Sequence, residues 1–279
     1  MRQEQKLSRK LGGRALREIT IGQYIPGNSI IHRLDPRTKI IITLAYMILL
    51  FVINNFYGYI FPVAFIILAT VLSGISVRYL LKGLRPLIFI IVLTFALNMF
   101  MTPGRVIYQI GPLDITYEGI SQASFMAIRL ILLIIGTSIL TLTTSPIALT
   151  DGIELLLSPF KRFGMPAHEL AMMMTIALRF IPTLLEETDK IMKAQMARGA
   201  DFESGNLINR AKNLVPLLVP LFISAFRRAD ELAMAMEARC YRGGKNRTRM
   251  KELKMTFLDI ATFIVFALIA GGSVATRFI

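Results

Sequence analysis

Long apolar tracts free of formal charge alternate with short clusters of Lys and Arg through the first half of the chain. No formal charge occurs between Lys39 and Arg78, which is too long for one membrane-crossing helix of about 20 residues. Asn54-Asn55 and Gly58 mark the bend, so a first span is predicted over residues 40–53 and a second over 57–75. Asp35-Pro36 offers an N-cap and a first-turn proline, so the first helix is expected to begin before the bilayer. A third span is predicted over 86–101, between Arg85 and the breaker Thr102-Pro103-Gly104. A fourth covers 121–143, closed by Ser145-Pro146, and a last covers 256–276. The first and third are short, and are expected to extend into the interface or to sit in thinned lipid.

From Asp151 to Lys254 the pattern changes to amphipathic, charged and rich in Met and Leu. GIELLLSPFKRFG predicts a short interfacial helix ended by Gly164 and Pro166, with Asp151 as a helix-start residue. The run from His168 to Asp201 predicts one long helix kinked at Pro182, and the run from Asn206 to Gly244 a second, with Pro216 and Pro220 near its middle. The organisation is thus an N-terminal cytoplasmic arm (1–39), transmembrane helices 1–4 (40–149), cytoplasmic or interfacial coupling helices (150–254) and a last transmembrane helix (255–279). The fold class is an all-α integral membrane protein with about five transmembrane helices.

The two long helices end alike. With Ala197-Arg198-Gly199 laid over Ala238-Arg239-Cys240, Asp189 falls on Asp230, Ile191 on Leu232 and Ala194 on Ala235, without a gap. Gly199 and Gly243-Gly244 suit termination by a left-handed residue. A single terminal arginine would be accounted for by the helix dipole, worth about 0.3–1 kcal/mol. Two arginines in matching contexts point to docking. Alanine lets a helix end enter a narrow groove, and guanidinium makes directional bonds to carboxylates or carbonyls. A chain that builds one tip twice presents two similar knobs to two similar sockets, as a coupling device does.

Met172, Met173, Met174, Met192, Met196, Met234 and Met236 lie on the same helices. Methionine there serves either as core or as an adaptable docking surface, and both readings stay open.

Composition agrees with a membrane protein: 54% of the 279 residues are hydrophobic, 18% are charged and mean hydropathy is +0.58. The net charge of +14 flanks the apolar tracts as membrane insertion requires. No nucleic-acid motif with interleaved aromatics accompanies it. The cations cluster at 9–39, 78–85 and before the last span, whereas the opposite loops hold only Arg105. The N-terminus is therefore expected in the cytoplasm and the C-terminus outside. Arg129 is the one cation well inside a span; with no acidic partner in the other spans, it reads as an arginine snorkelling to the outer interface rather than a counter-ion or relay.

The single cysteine, Cys240, excludes an internal disulfide, and His32 and His168 lack metal-ligand spacing. There is no phosphate loop, since Gly243-Gly244-Lys245-Asn246 lacks its spacing and hydroxyl, and no catalytic triad or HExxH. Any ATP must be bound by another subunit.

These residues resemble the transmembrane T component of energy-coupling factor (ECF) transporters. The resemblance rests on the paired Ala-Arg tips, on the proline-kinked helices and on YIPGNSIIHRLDPRTKI before the first span. It departs at Cys240, which stands where the family usually has glycine. The resemblance implies a complex of this scaffold, two related ABC-type ATPases and one or several small substrate-binding S components in a bacterial-type plasma membrane. Ala197, Arg198 and Gly199 would form one ATPase-docking tip, and Ala238, Arg239 and Cys240 the other. ATP and Mg would be held by the ATPases, with no cofactor on this chain. The helices would carry the closing of the ATPases to an S component that topples to deliver a vitamin or metal ion. The seven methionines are the candidate S-component face.

Two alternatives belong to other classes. A stand-alone secondary transporter would show intramembrane acids and broken helices in repeated halves, which these spans lack. A membrane enzyme would need a second acidic cluster beside Asp151 and Glu154.

Overall fold

Asp35 and Pro36 start the first long helix. The Asp35 carboxylate accepts from the Arg37 backbone N–H at 2.8 Å, and Pro36 sits in the first turn, where its missing N–H costs no hydrogen bond. In the computed structural model, which describes residues 24–110, 113–202, 207–243 and 253–276, the single-turn α1 (Ile30–Arg33) precedes α2 (Pro36–Val52). The chain turns through Asn54-Asn55 and a 3₁₀ turn at Tyr57–Tyr59 into α3 (Ile60–Ser73), ended by Gly74 at φ +65°.

The helices α4 (Val77–Leu84) and α5 (Ile88–Met101) are joined by a 3₁₀ turn at Arg85–Leu87 into a 25-residue apolar run. Arg78, Lys82 and Arg85 therefore lie in helical turns, not in the connecting loop expected from the sequence. Their i, i+4, i+7 spacing makes a basic face opposite buried Leu80. The third span is consequently not short. Instead α2 and the Tyr57–Ser73 segment, each 17 residues, reach only about 25 Å.

A β-hairpin interrupts the all-helical pattern. β1 (Val106–Ile110) pairs antiparallel with β2 (Leu113–Thr116), Val106 opposite Thr116 and Ile110 opposite Leu113. It leads into α6 (Tyr117–Thr143), whose N-cap Thr116 accepts from the Gly119 N–H at 3.0 Å. The fourth helix thus begins four residues before its expected start.

α7 (Pro146–Leu157) follows with the Ser145 hydroxyl over its first turn, and continues as a 3₁₀ stretch, Ser158–Phe163, ended by Gly164 at φ +84°. Asp151 is inside this helix rather than at its start, because Ser145-Pro146 closes α6 and caps α7 at once. The last helix, α10 (Phe257–Ala275), opens on a capping box between Thr256 and Asp259.

The described chain divides into two compact units, one of residues 24–156 with 253–276, the other of 157–243. In the first unit α6 is central, packed by α2, α3, α4 and α5, with α10 against α2 and α3. Its core includes Tyr46, Leu50, Ile66, Leu132, Ile139 and Phe266. Gly136 of α6 makes room there: a β-carbon on it would stand 2.9 Å from the Tyr46 ring.

The opposite faces are apolar too. Leu44, Ile48 and Phe51, spaced along one side of α2, are all more than half exposed. Apolar surface on both faces fits a bundle whose solvent is lipid.

A buried polar clamp closes one end of this unit. Asp259, with no solvent exposure, accepts from the Thr256 N–H and hydroxyl at 2.7 and 2.8 Å and from the Asp35 N–H at 2.9 Å. Arg37 forks onto the Asp35 carboxylate and donates to the Leu253 carbonyl. The buried Lys39 ammonium donates to the His32 and Thr143 carbonyls, and His32 bonds Ser29 and the Ile25 carbonyl. The IIHRLDPRTK stretch is thus a structural knot.

In the second unit, the two long amphipathic helices are α8 (Ala167–Ala197) and α9 (Leu207–Ala238), each continuous through its prolines. Among the described residues, four helices are long and apolar enough to cross a membrane by length and composition: the joined Val77–Met101, α6, α8 and α10. The apolar run around Met172–Phe180 gives α8 that character, and its charged residues follow in the second half. Residues 1–23 of the N-terminal arm, Gly244 and the basic stretch 244–252 lie outside the described residues.

Candidate functional site

The second half of each long helix leads to a tip, and the tips have the same backbone geometry. At the end of α8, Gly199 N–H donates to the Met196 carbonyl and Ala200 N–H to the Gln195 carbonyl, both at 3.0 Å. At the end of α9, Cys240 N–H donates to the Glu237 carbonyl at 2.8 Å and Tyr241 N–H to the Met236 carbonyl at 3.0 Å. These are matching Schellman closures, with Arg198 and Arg239 as the C-caps and a left-handed residue after each. Gly199 has φ +89°; Cys240, at φ +56°, is the one non-glycine with positive φ among the described residues. Cys240 therefore takes over the conformation that glycine usually supplies, and the second helix stops there, ahead of Gly243.

The left-handed conformation costs a side-chain-bearing residue about 1–2 kcal/mol. Cys240→Gly is expected to steady the second tip, raising hydrogen-exchange protection of the Tyr241 amide about fivefold, about 1 kcal/mol. Cys240→Val should fray it. Equal protection in all three proteins would contradict the cap.

Ala197, Arg198 and Gly199 are exposed, as are Ala238, Arg239 and Cys240. Among the described residues no carboxylate pairs with either arginine. Each guanidinium stands free at the negative end of a helix, beside a small alanine.

Contacts between α8 and α9 set where the tips point. Arg228 Nη2 meets Glu187 Oε2 at 3.1 Å, the Gln195 side-chain amide donates to the Pro216 carbonyl at 3.4 Å, and Asn213 Nδ2 donates to the Asp201 carbonyl at 2.6 Å. Numbers rise along one helix as they fall along the other, so the pair runs antiparallel. Glu187 and Arg228 are also equivalent positions in the internal alignment, 41 residues apart like Arg198 and Arg239. The helices thus meet at a local pseudo-two-fold point. Each tip lies about 16 Å beyond it along its own helix, the two on opposite sides.

The prolines have a specific consequence. Pro182, Pro216 and Pro220 lack the N–H that would reach Leu178, Lys212 and Pro216 four residues back. The freed Pro216 carbonyl is the one that Gln195 takes. Sequence reasoning missed Gln195, Glu187 and Arg228; the four-residue spacing of Pro216 and Pro220 was the available signal for the first of them.

The methionines are not gathered into one stripe. Met172, Met173 and Met174 are consecutive and so spread over about 200° of the helix. Met173, Met174, Met196 and Met234 are exposed, while Met172, Met192 and Met236 are half-buried. Met192 and Met196 share a face.

Comparison with known proteins finds relatives along most of the chain. The family model for CbiQ, described as "Cobalt transport protein", matches residues 27–250. An "Energy-coupling factor transporter transmembrane protein EcfT" from Thermosediminibacter oceani is 75% identical over 264 residues, covering 95% of this chain and all of that protein. Proteins of the same name from Clostridium kluyveri and Bacillus subtilis are 62% and 50% identical, over 94% and 90% of this chain and 98% and 95% of their own. The chain belongs to the CbiQ family, together with these energy-coupling factor transporter transmembrane proteins.

Proposed function

We propose that this transmembrane component is the scaffold that couples two ABC-type ATPases to a substrate-binding S component in a micronutrient importer. The observation that carries the reading is the pair of congruent, exposed Ala-Arg tips, disposed about the Glu187–Arg228 contact. Two equivalent plugs about a pseudo-two-fold suit two related sockets. Each arginine offers a planar fork to carboxylates or carbonyls in its socket.

ATP binding draws the sockets together, and α8 and α9 act as levers because helices are stiff along their axes. The chain itself is a non-catalytic subunit, with ATP and Mg held in its partners. The S component is received on apolar surface of these helices, where Phe222, Phe226 and Met234 are more exposed than most of the methionines first considered. The N-terminus lies in the cytoplasm and the C-terminus outside the plasma membrane, following the basic flanks.

The purified chain alone is expected to hydrolyse no ATP. From native membranes it should copurify with two nucleotide-binding subunits and a small membrane protein. ATP turnover by the isolated chain, or ion-driven substrate flux in vesicles containing it alone, would contradict the scaffold reading.

A further inference from the structure

Arg129 is held in place rather than simply reaching for water. Its Nε donates to the Tyr59 hydroxyl at 3.1 Å and its Nη2 to the Ile53 carbonyl at 3.2 Å, just past the end of α2. The Phe51 and Phe125 rings flank the guanidinium, with centroids 5.2 and 5.0 Å from Cζ. Two ring contacts and two hydrogen bonds fix the plane and leave Nη1 uncommitted among the described residues. Tyr59 in turn donates to the Leu50 carbonyl, so the support is anchored in the core.

The guanidinium opens into a cavity of about 770 Å³ lined by Asn54, Asn55, Ser121, Gln122 and Thr276, with no carboxylate among the described residues of its wall. One fixed cation, the Asn54 and Gln122 amides and the Ser121 hydroxyl form a set of donors. Asn55 Nδ2 already donates to the Thr276 carbonyl at 3.1 Å and keeps one N–H for a ligand, while the Thr276 hydroxyl is taken by the Ser273 carbonyl. Tyr57 and Phe56, both exposed, stand at its edge, as aromatic residues do where a bilayer meets water. The cavity lies where α2 ends and α10 ends, about 25 Å along α2 from Arg37. It is therefore at head-group level on the side of the bundle remote from the polar clamp.

We propose that this cavity binds the phosphodiester head of an anionic membrane lipid, with Arg129 on the phosphate and the amides of Asn54, Asn55 and Gln122 on the phosphate and glycerol oxygens. An acyl tail beside the exposed apolar flank of α2 distinguishes a lipid from free phosphate. The charge distinguishes an anionic head from a zwitterionic one, whose ammonium would meet the guanidinium unfavourably.

Native mass spectrometry of the purified full chain, with phosphatidylglycerol and phosphatidylcholine of identical acyl chains, tests this. One phosphatidylglycerol should stay bound under activation that strips phosphatidylcholine, and millimolar inorganic phosphate should not displace it. Arg129→Gln should lower that occupancy about tenfold, the loss of a charge-assisted hydrogen bond. Because Arg129 also ties α6 to the end of α2, a second variant guards against misfolding. Asn54→Ala with Gln122→Ala leaves the Arg129 supports intact and should lower retention several-fold at an unchanged melting temperature. Equal retention of the two lipids, displacement by inorganic phosphate, or full retention by both variants would overturn the assignment. A cavity occupied by protein instead would show as unchanged lipid binding together with loss of a copurifying membrane subunit in Arg129→Gln.

Discussion

Replacing Arg198 and Arg239 together by alanine is expected to abolish substrate uptake while leaving the chain folded and inserted. Both side chains are exposed C-caps, and the closing hydrogen bonds of both tips are backbone to backbone. Their removal therefore costs the helices only the dipole contribution, about 0.3–1 kcal/mol each. What is lost lies outside the chain. A charge-assisted hydrogen bond contributes about 1.5–3 kcal/mol, so two lost together weaken docking about 10²–10⁴-fold. Uptake assays in cells, with membrane content followed by immunoblot, separate the two effects. Either single substitution should leave partial uptake, because one socket remains engaged. Wild-type uptake by the double variant would remove the basis of the coupling reading.

The second large effect is on stability. Asp259→Ala is expected to destabilise the membrane unit by about 2–5 kcal/mol, the cost of leaving two buried N–H groups unsatisfied at about 1–3 kcal/mol each. Its carboxylate is fully enclosed and accepts three hydrogen bonds. Alanine would leave the Asp35 and Thr256 N–H groups buried without an acceptor, and would loosen the start of α2 from the start of α10. Asp259→Asn keeps one oxygen and should lose less. Circular-dichroism melts in detergent check the order: wild type above Asn above Ala. A melting temperature unchanged in Asp259→Ala would show that the clamp is not structural.

The helices were legible where local chemistry sets them. Asp35-Pro36 announces the start of α2, Gly164 ends its helical stretch, and the two Ala-Arg tips stand out by repetition. The Schellman geometry of the first tip follows from Gly199. That of the second did not, because Cys240 is a poor left-handed residue and the nearby Gly243-Gly244 offered a better-looking stop. The hairpin carried a signal that went unread, since Val106-Ile107-Tyr108 and Ile115-Thr116 are strand formers on either side of Gly111-Pro112. Arg78 and Lys82 lie between two apolar tracts, as loop cations do, yet their i, i+4 spacing also fits one face of a helix.

Other features lay beyond reach for a physical reason. Asp35 and Asp259 are 224 residues apart, and no local pattern joins them. Arg129 was readable as a cation within a span, but not as one flanked by Phe51 and Phe125, which come from different helices. The pairing of Glu187 with Arg228 required knowing that the internally aligned helices run antiparallel. Only then do equivalent positions meet and equivalent tips diverge.

Photo-crosslinking from the tips probes the coupling role most directly. A photoreactive amino acid placed at position 198, and separately at 239, in the complete transporter in native membranes should link to a nucleotide-binding subunit in each case. Products formed only with lipid, or only within this chain, would contradict the role assigned to the tips.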